Sequence, residues 1–170
     1  MILVGIGANL PSQLDGGPLA TCEAAIEAMN KAGISVVRRS NWYESAPLPP
    51  SPQPWYVNGV AEVASELEPA ELLELLHRIE DDFGRRRSVK FAARTLDLDL
   101  LAVSAMVMGP GGRVELPHPR MHERAFVLLP LAELEPGWVH PRTGRKICDL
   151  IGALPPGQTA VPLKSRSPLK

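Results

Sequence analysis

The chain has 170 residues, enough for one domain with a sizeable core. Hydrophobic residues make up 45% and charged residues 22%, an ordinary globular balance. The formal net charge of -1 excludes any global attraction to nucleic acid or an anionic membrane, so an anion site must be local. Two cysteines, Cys22 and Cys148, make neither a disulfide framework nor a zinc pattern, and they read as thiols of a reducing compartment. No basic segment precedes the opening apolar run, and no stretch approaches a membrane span. The expectation is a cytoplasmic protein.

Ile2 to Ile6 is a short apolar run that reads as a buried strand, closed by turn chemistry at Gly7-Ala8-Asn9-Leu10-Pro11. Pro18 to Ala32 reads as a helix stopped by Gly33. Ile34 to Ser40 is a strand rich in β-branched residues. A long loop stiffened by five prolines then runs from Trp42 to Pro54. It delivers Trp55, Tyr56 and Asn58 at the start of a strand that continues to Val63. An aromatic beside an amide can stack on a flat ring and bond its edge, or simply cap the core. Pro69 to Phe83 is the clearest helix, with Pro69 at its first position, an apolar face from Leu72 to Phe83, and Gly84 as terminator.

The segment from Gly84 to Leu100 concentrates charge. Arg85, Arg86, Arg87, Lys90 and Arg94 are followed by Leu96, Leu98 and Leu100 alternating with Asp97 and Asp99. That alternation is a strand period, with leucines on one face and two carboxylates on the other, roughly 6.5–7 Å apart at the backbone. Two like charges so close need an offset, and Mg²⁺ accepts one or two carboxylates while leaving room for substrate phosphates. Guanidinium groups grip phosphate oxygens in pairs. The same pattern also describes a half-exposed strand after a solvated loop.

Val103 to Val107 extends the apolar run, and Val114 to Leu116 reads as the return strand of a hairpin. His118 is locked between Pro117 and Pro119. Met121 to Leu134 reads as a helix that Pro130 must kink or break. From Pro136 onward Pro, Gly and basic residues dominate, and the tail carries no visible chemistry. The element order predicts an α+β fold: a ferredoxin-like antiparallel sheet with flanking helices, in a three-layer α/β/α sandwich. One domain is expected over 1–162, with a flexible tail over 163–170.

Several blocks in this order resemble one family. They are Gly7-Ala8-Asn9-Leu10, Tyr43-Glu44-Ser45-Ala46-Pro47, Gln53 through Asn58, Glu80 through Arg87, Arg94-Thr95-Leu96-Asp97-Leu98-Asp99, and Leu116-Pro117-His118-Pro119-Arg120 with Arg124 to Leu128. Together they resemble the 6-hydroxymethyl-7,8-dihydropterin pyrophosphokinases of folate biosynthesis. The resemblance implies transfer of pyrophosphate from ATP to the pterin's hydroxymethyl group, releasing AMP, with no covalent intermediate. It implies two Mg²⁺ ions on Asp97 and Asp99. ATP contacts then fall on Leu73, Glu80, Arg85, Arg87, Arg94, Leu100, His118 and Arg124, with Arg85 and Arg94 serving catalysis. Pterin contacts fall on Ser45, Leu48, Tyr56, Asn58, Asp97 and Phe126. The chain departs from the family's usual Trp-Gly-Pro with Phe91-Ala92-Ala93, in a slightly shorter loop. The partners implied are the two small substrates, with no nucleic acid, no membrane and a monomeric chain.

Rival readings are another Mg²⁺-dependent kinase or nucleotidyltransferase using the same aspartates, and a ferredoxin-like module that holds a nucleotide without turnover. An RNA-binding module of similar topology is disfavoured by the acidic face and the net charge.

Overall fold

A computed structural model of the chain describes residues 1–10, 17–84 and 95–163. Its elements are β1 (Ile2–Ala8), α1 (Gly17–Lys31), β2 (Ser35–Arg39), β3 (Tyr43–Ser45), β4 (Tyr56–Ala64), α2 (Pro69–Asp82), β5 (Asp97–Val103), α3 (Ala125–Leu134), α4 (Ile147–Gly152) and β6 (Ala160–Pro162). A 3₁₀ turn, Met121–Glu123, precedes α3.

The six strands form one antiparallel sheet in the order β5-β1-β4-β3-β6, with β2 also on β4. The outer edge of β4 takes β3 along Tyr56–Asn58 and β2 along Ala61–Ala64. The sheet separates two apolar layers. Val4, Ile6, Val57, Ala61, Leu98 and Leu100 face α1 and α2, packing on Cys22, Met29, Leu72 and Leu76. Leu3, Val60 and Leu101 face α3 and α4, packing on Leu128, Leu131 and Leu150. Burying each of the Val, Leu, Ile and Met side chains among them contributes about 1.5–3 kcal/mol. This is the expected α+β fold, a three-layer α/β/α sandwich.

Local chemistry explains the boundaries. Pro69 opens α2, the Glu68 N–H donates to Glu71 Oε2 at 3.2 Å, and Gly84 ends the helix at φ +84°. Within β4, Gly59 lies against the Trp42 indole, where a Cβ would come within 2.8 Å of the ring. The Tyr43 hydroxyl donates to Glu133 Oε2 at 3.1 Å, tying α3 to β3. Burial, helped by that carboxylate, pushes the Tyr43 phenol up to about 12.

Several readings change. β1 runs through Gly7 to Ala8 instead of turning at Gly7, because both neighbouring strands continue to pair with it there. The hairpin after β5 reduces to one bridge, Met108 with Leu116, because Ser104 turns the chain at φ +46°. The helix of 121–134 is split at Arg124, which is extended at φ −116°, ψ 112°. Pro130 does not break α3; the helix continues to Leu134 with Pro130 buried. The tail after Pro136 also contains structure, namely α4 and β6. Of the segment expected as a flexible tail, 164–170 lies outside the described residues. Leu163 packs on the core and its N–H donates to Trp42 O at 2.7 Å. Among the described residues no helix is long and apolar enough to cross a membrane.

Candidate active site

The site is a row of side chains across one end of the sheet. β-pairing sets Asp97 beside Gly7, Gly7 beside Asn58, and Asn58 beside Tyr43. The next row along sets Asp99 beside Gly5. Alternation decides the face. Leu98 and Leu100 enter the α1–α2 core, so Asp97 and Asp99 point to the α3 side. Gly7 puts no side chain on the sheet between Asp97 and Asn58.

Above this row is a cleft of about 260 Å³. Ser45, Leu48, Tyr56, Asn58, Asp97 and Phe126 all line it, together with Arg124. These residues come from β3, the proline loop, β4, β5 and the start of α3. Asn58 Nδ2 donates to Ser45 Oγ at 2.6 Å, and Asn58 Oδ1 lies over Gly7. Asn58 is thereby oriented with an acceptor toward the bare strip. Asn9 Nδ2 and the Tyr56 hydroxyl both donate to Gln53 Oε1, at 3.2 and 3.4 Å, and draw the loop's far end onto β1 and β4.

Positive charge closes the other side. Arg124 Nη1 lies 3.6 Å from Asp99 Oδ2, and its guanidinium sits 5.6 Å from the Phe126 ring centre. His118 Nδ1 accepts the Arg120 N–H at 3.1 Å. Burial is the main cause that lowers the His118 imidazole to about 4; Arg124 and Arg120 lower it too, and Asp97 opposes them. His118 is therefore neutral near pH 7, and with Nδ1 accepting, Nε2 carries the proton.

The other predicted residues fall elsewhere. Glu80 is fully buried, and its Oε1 accepts the Leu98 N–H at 2.7 Å, which fixes β5 between the two aspartates. Leu100 is buried in the α1–α2 core on the face opposite Asp99, and Leu73 packs at the edge of the same core. Arg85, Arg87 and Arg94 lie outside the described residues. Sequence reasoning missed Gly7, Gln53 and Arg120 as cleft residues. The Pro-His-Pro-Arg block held a signal for Arg120, since a guanidinium two residues from His118 shares its locked loop.

Paired carboxylates on one strand face, beside an open cleft, fit a Mg²⁺ site. The donors are oxygens, and Mg²⁺ fills its remaining positions with water and phosphate oxygens. Among the described residues, no group of three or more His, Cys, Asp or Glu comes together.

Residues 3–136 match the family model of 7,8-dihydro-6-hydroxymethylpterin-pyrophosphokinase. The chain belongs to this pyrophosphokinase family. It is 45% identical over 149 residues to a 2-amino-4-hydroxy-6-hydroxymethyldihydropteridine pyrophosphokinase of Synechocystis, covering 88% of this chain and 73% of the relative. A relative of the same name from Pseudomonas aeruginosa is 38% identical over 155 residues, covering 91% of each. One from Haemophilus influenzae is 38% identical over 141 residues, covering 82% of this chain and 84% of the relative. Every cleft residue named above lies inside the family-matched segment.

Proposed function

We propose that this chain transfers pyrophosphate from ATP to the hydroxymethyl group of 6-hydroxymethyl-7,8-dihydropterin, releasing AMP, as a step in folate biosynthesis. The observation that supports the site assignment is the meeting of Tyr56, Asn58, Ser45, Phe126 and Asp97 around one cleft. Tyr56 and Phe126 supply aromatic faces for the pterin ring. Asn58, oriented by Ser45, offers its carbonyl to the donor edge of the ring. Leu48 covers the loop side.

Asp97 and Asp99 would hold two Mg²⁺ ions. When bound, the ions neutralise phosphate charge that builds as the bond to phosphorus is exchanged. Arg124 would share that work, a role supported by its approach to Asp99. His118, being neutral, donates Nε2–H to a phosphate oxygen without adding charge. Arg85, Arg87 and Arg94 supply the remaining grips on ATP, with Arg85 and Arg94 serving catalysis. Glu80 acts on the nucleotide side by holding β5 in register. Leu73 and Leu100 would wall the adenine side, Leu100 from within the α1–α2 core and Leu73 from its edge. The pterin hydroxyl attacks the β-phosphorus of ATP and AMP leaves, so catalysis is alignment and charge stabilisation.

The test is a nucleotide product assay with Mg-ATP and 6-hydroxymethyl-7,8-dihydropterin. AMP formed in step with pterin pyrophosphate is the expected result. ADP would mean simple phosphoryl transfer and overturn the reaction class. Asp97→Ala should abolish turnover in a folded protein, and retained activity would remove Asp97 from the metal site.

A further inference from the structure

Beyond the family-matched residues, the chain returns to the cleft. Helix α3 starts at Ala125 directly after the extended Arg124, whose side chain does not cap it. The first N–H groups of a helix need partners from outside. Gln158 supplies one: its Oε1 accepts the Ala125 N–H at 2.8 Å. Its Nε2 donates to Glu123 O at 2.7 Å. One amide thus bonds the peptide groups on both sides of Arg124. Such a two-point clamp fixes the backbone of the residue between them, and with it the direction in which that side chain leaves.

The same segment holds the opposite wall. The Ala46 N–H donates to Thr159 O at 3.2 Å, and Ser45 pairs with Ala160 across β3 and β6. Gly157, Gln158 and Thr159 meet Ala46, Pro47, Leu48, Ala125 and Phe126 around a small void behind the cleft. Leu48 and Phe126 face both the void and the cleft.

We infer that Gln158 is a positioning residue for pterin binding, holding the Arg124–Phe126 corner of the cleft from behind. The inference rests on the reading that this cleft takes the pterin. Gln158 does not reach the substrate; it acts through Arg124 and Phe126. Replacing it with leucine keeps the bulk and removes both bonds. The helix start is then free to shift, and the Phe126 ring loses its fixed place in the cleft lining.

The test is equilibrium binding of 6-hydroxymethylpterin, read by its own fluorescence, to the wild-type protein and to Gln158→Leu. Thermal unfolding of each protein is measured alongside. The expected result is wild-type binding, with Kd raised about tenfold in Gln158→Leu at a temperature where the variant is folded. A purely structural role would lower the unfolding temperature and leave Kd of the folded protein within about twofold; that outcome overturns the inference and leaves the proposed function standing. If the wild-type protein binds no pterin, the functional reading fails and this inference fails with it. Should Gln158→Leu not fold, Gln158→Asn decides by the same criteria, because its amide is one methylene too short to reach both groups.

Discussion

Gly7 matters to the cleft through what it lacks. A Cβ at this position would come 2.9 Å from Asn58 Oδ1, closer than real Cβ atoms approach, so the amide would have to move. Asn58 is held by a 2.6 Å bond to Ser45, and its movement would cost that bond as well. Gly7→Ala is therefore expected to raise KM for the pterin about tenfold while leaving KM for ATP nearly unchanged. Steady-state kinetics with each substrate varied would check it, and an unchanged pterin KM would show that the Asn58 amide plays no part in recognition. The residue itself was hard to read. A glycine after an apolar run signals a turn, and only the pairing of Gly7 with both Asn58 and Asp97 reveals a strand position kept bare. The aspartates were easier, because alternation with Leu96, Leu98 and Leu100 is a local signal. The family blocks pointed to Ser45, Leu48 and Phe126; periodicity alone would not have found them.

At the scale of elements, β5 depends on α2. It is an edge strand in the described sheet, and its Leu98 N–H is satisfied by the buried Glu80 carboxylate. Glu80→Ala would strand that donor in the interior, a loss of about 1–3 kcal/mol. In a chain of this size that corresponds to an unfolding temperature lower by about 3–10 °C. A thermal scan of the ligand-free variant tests this, and an unaltered midpoint would mean that Leu98 finds another acceptor. The long elements α1, α2, β4 and β5 were legible because amphipathic period, proline starts and glycine stops agree over many residues. β3 and β6 were not, since three residues are too few to show alternation. The six-residue α4 was hidden in a Pro- and Gly-rich tail. The break at Arg124 was invisible for a different reason: the group that stabilises the helix start there, Gln158, is far along the chain.

The whole molecule integrates contacts that no local pattern announces. β1 pairs with β4 and β5, both distant in sequence, so the strand order was not legible even though the layers were. Proton linkage is a property of the same scale, because it sums over groups that folding moves away from water. His118 is lowered to about 4, first by burial, then by Arg124 and Arg120 against Asp97. His140 is lowered by burial, with His122, Arg142 and Arg145 acting in the same direction. Both histidines bind a proton less readily in the folded chain than in the unfolded one. Between the unfolded value of about 6.5 and the folded value of His118, the unfolded state therefore holds more protons, and stability rises with pH there. Stability of the metal-free protein should be full above about pH 6.5 and decline as pH falls toward 4. Denaturant midpoints measured in steps across this window should show the decline. In His118→Asn, which has no imidazole to protonate, the curve should flatten between about pH 6.5 and 5, before most carboxylates titrate. An equally steep curve in that variant would mean that the loss originates elsewhere, and that burial beside Arg124 and Arg120 does not hold the His118 imidazole neutral.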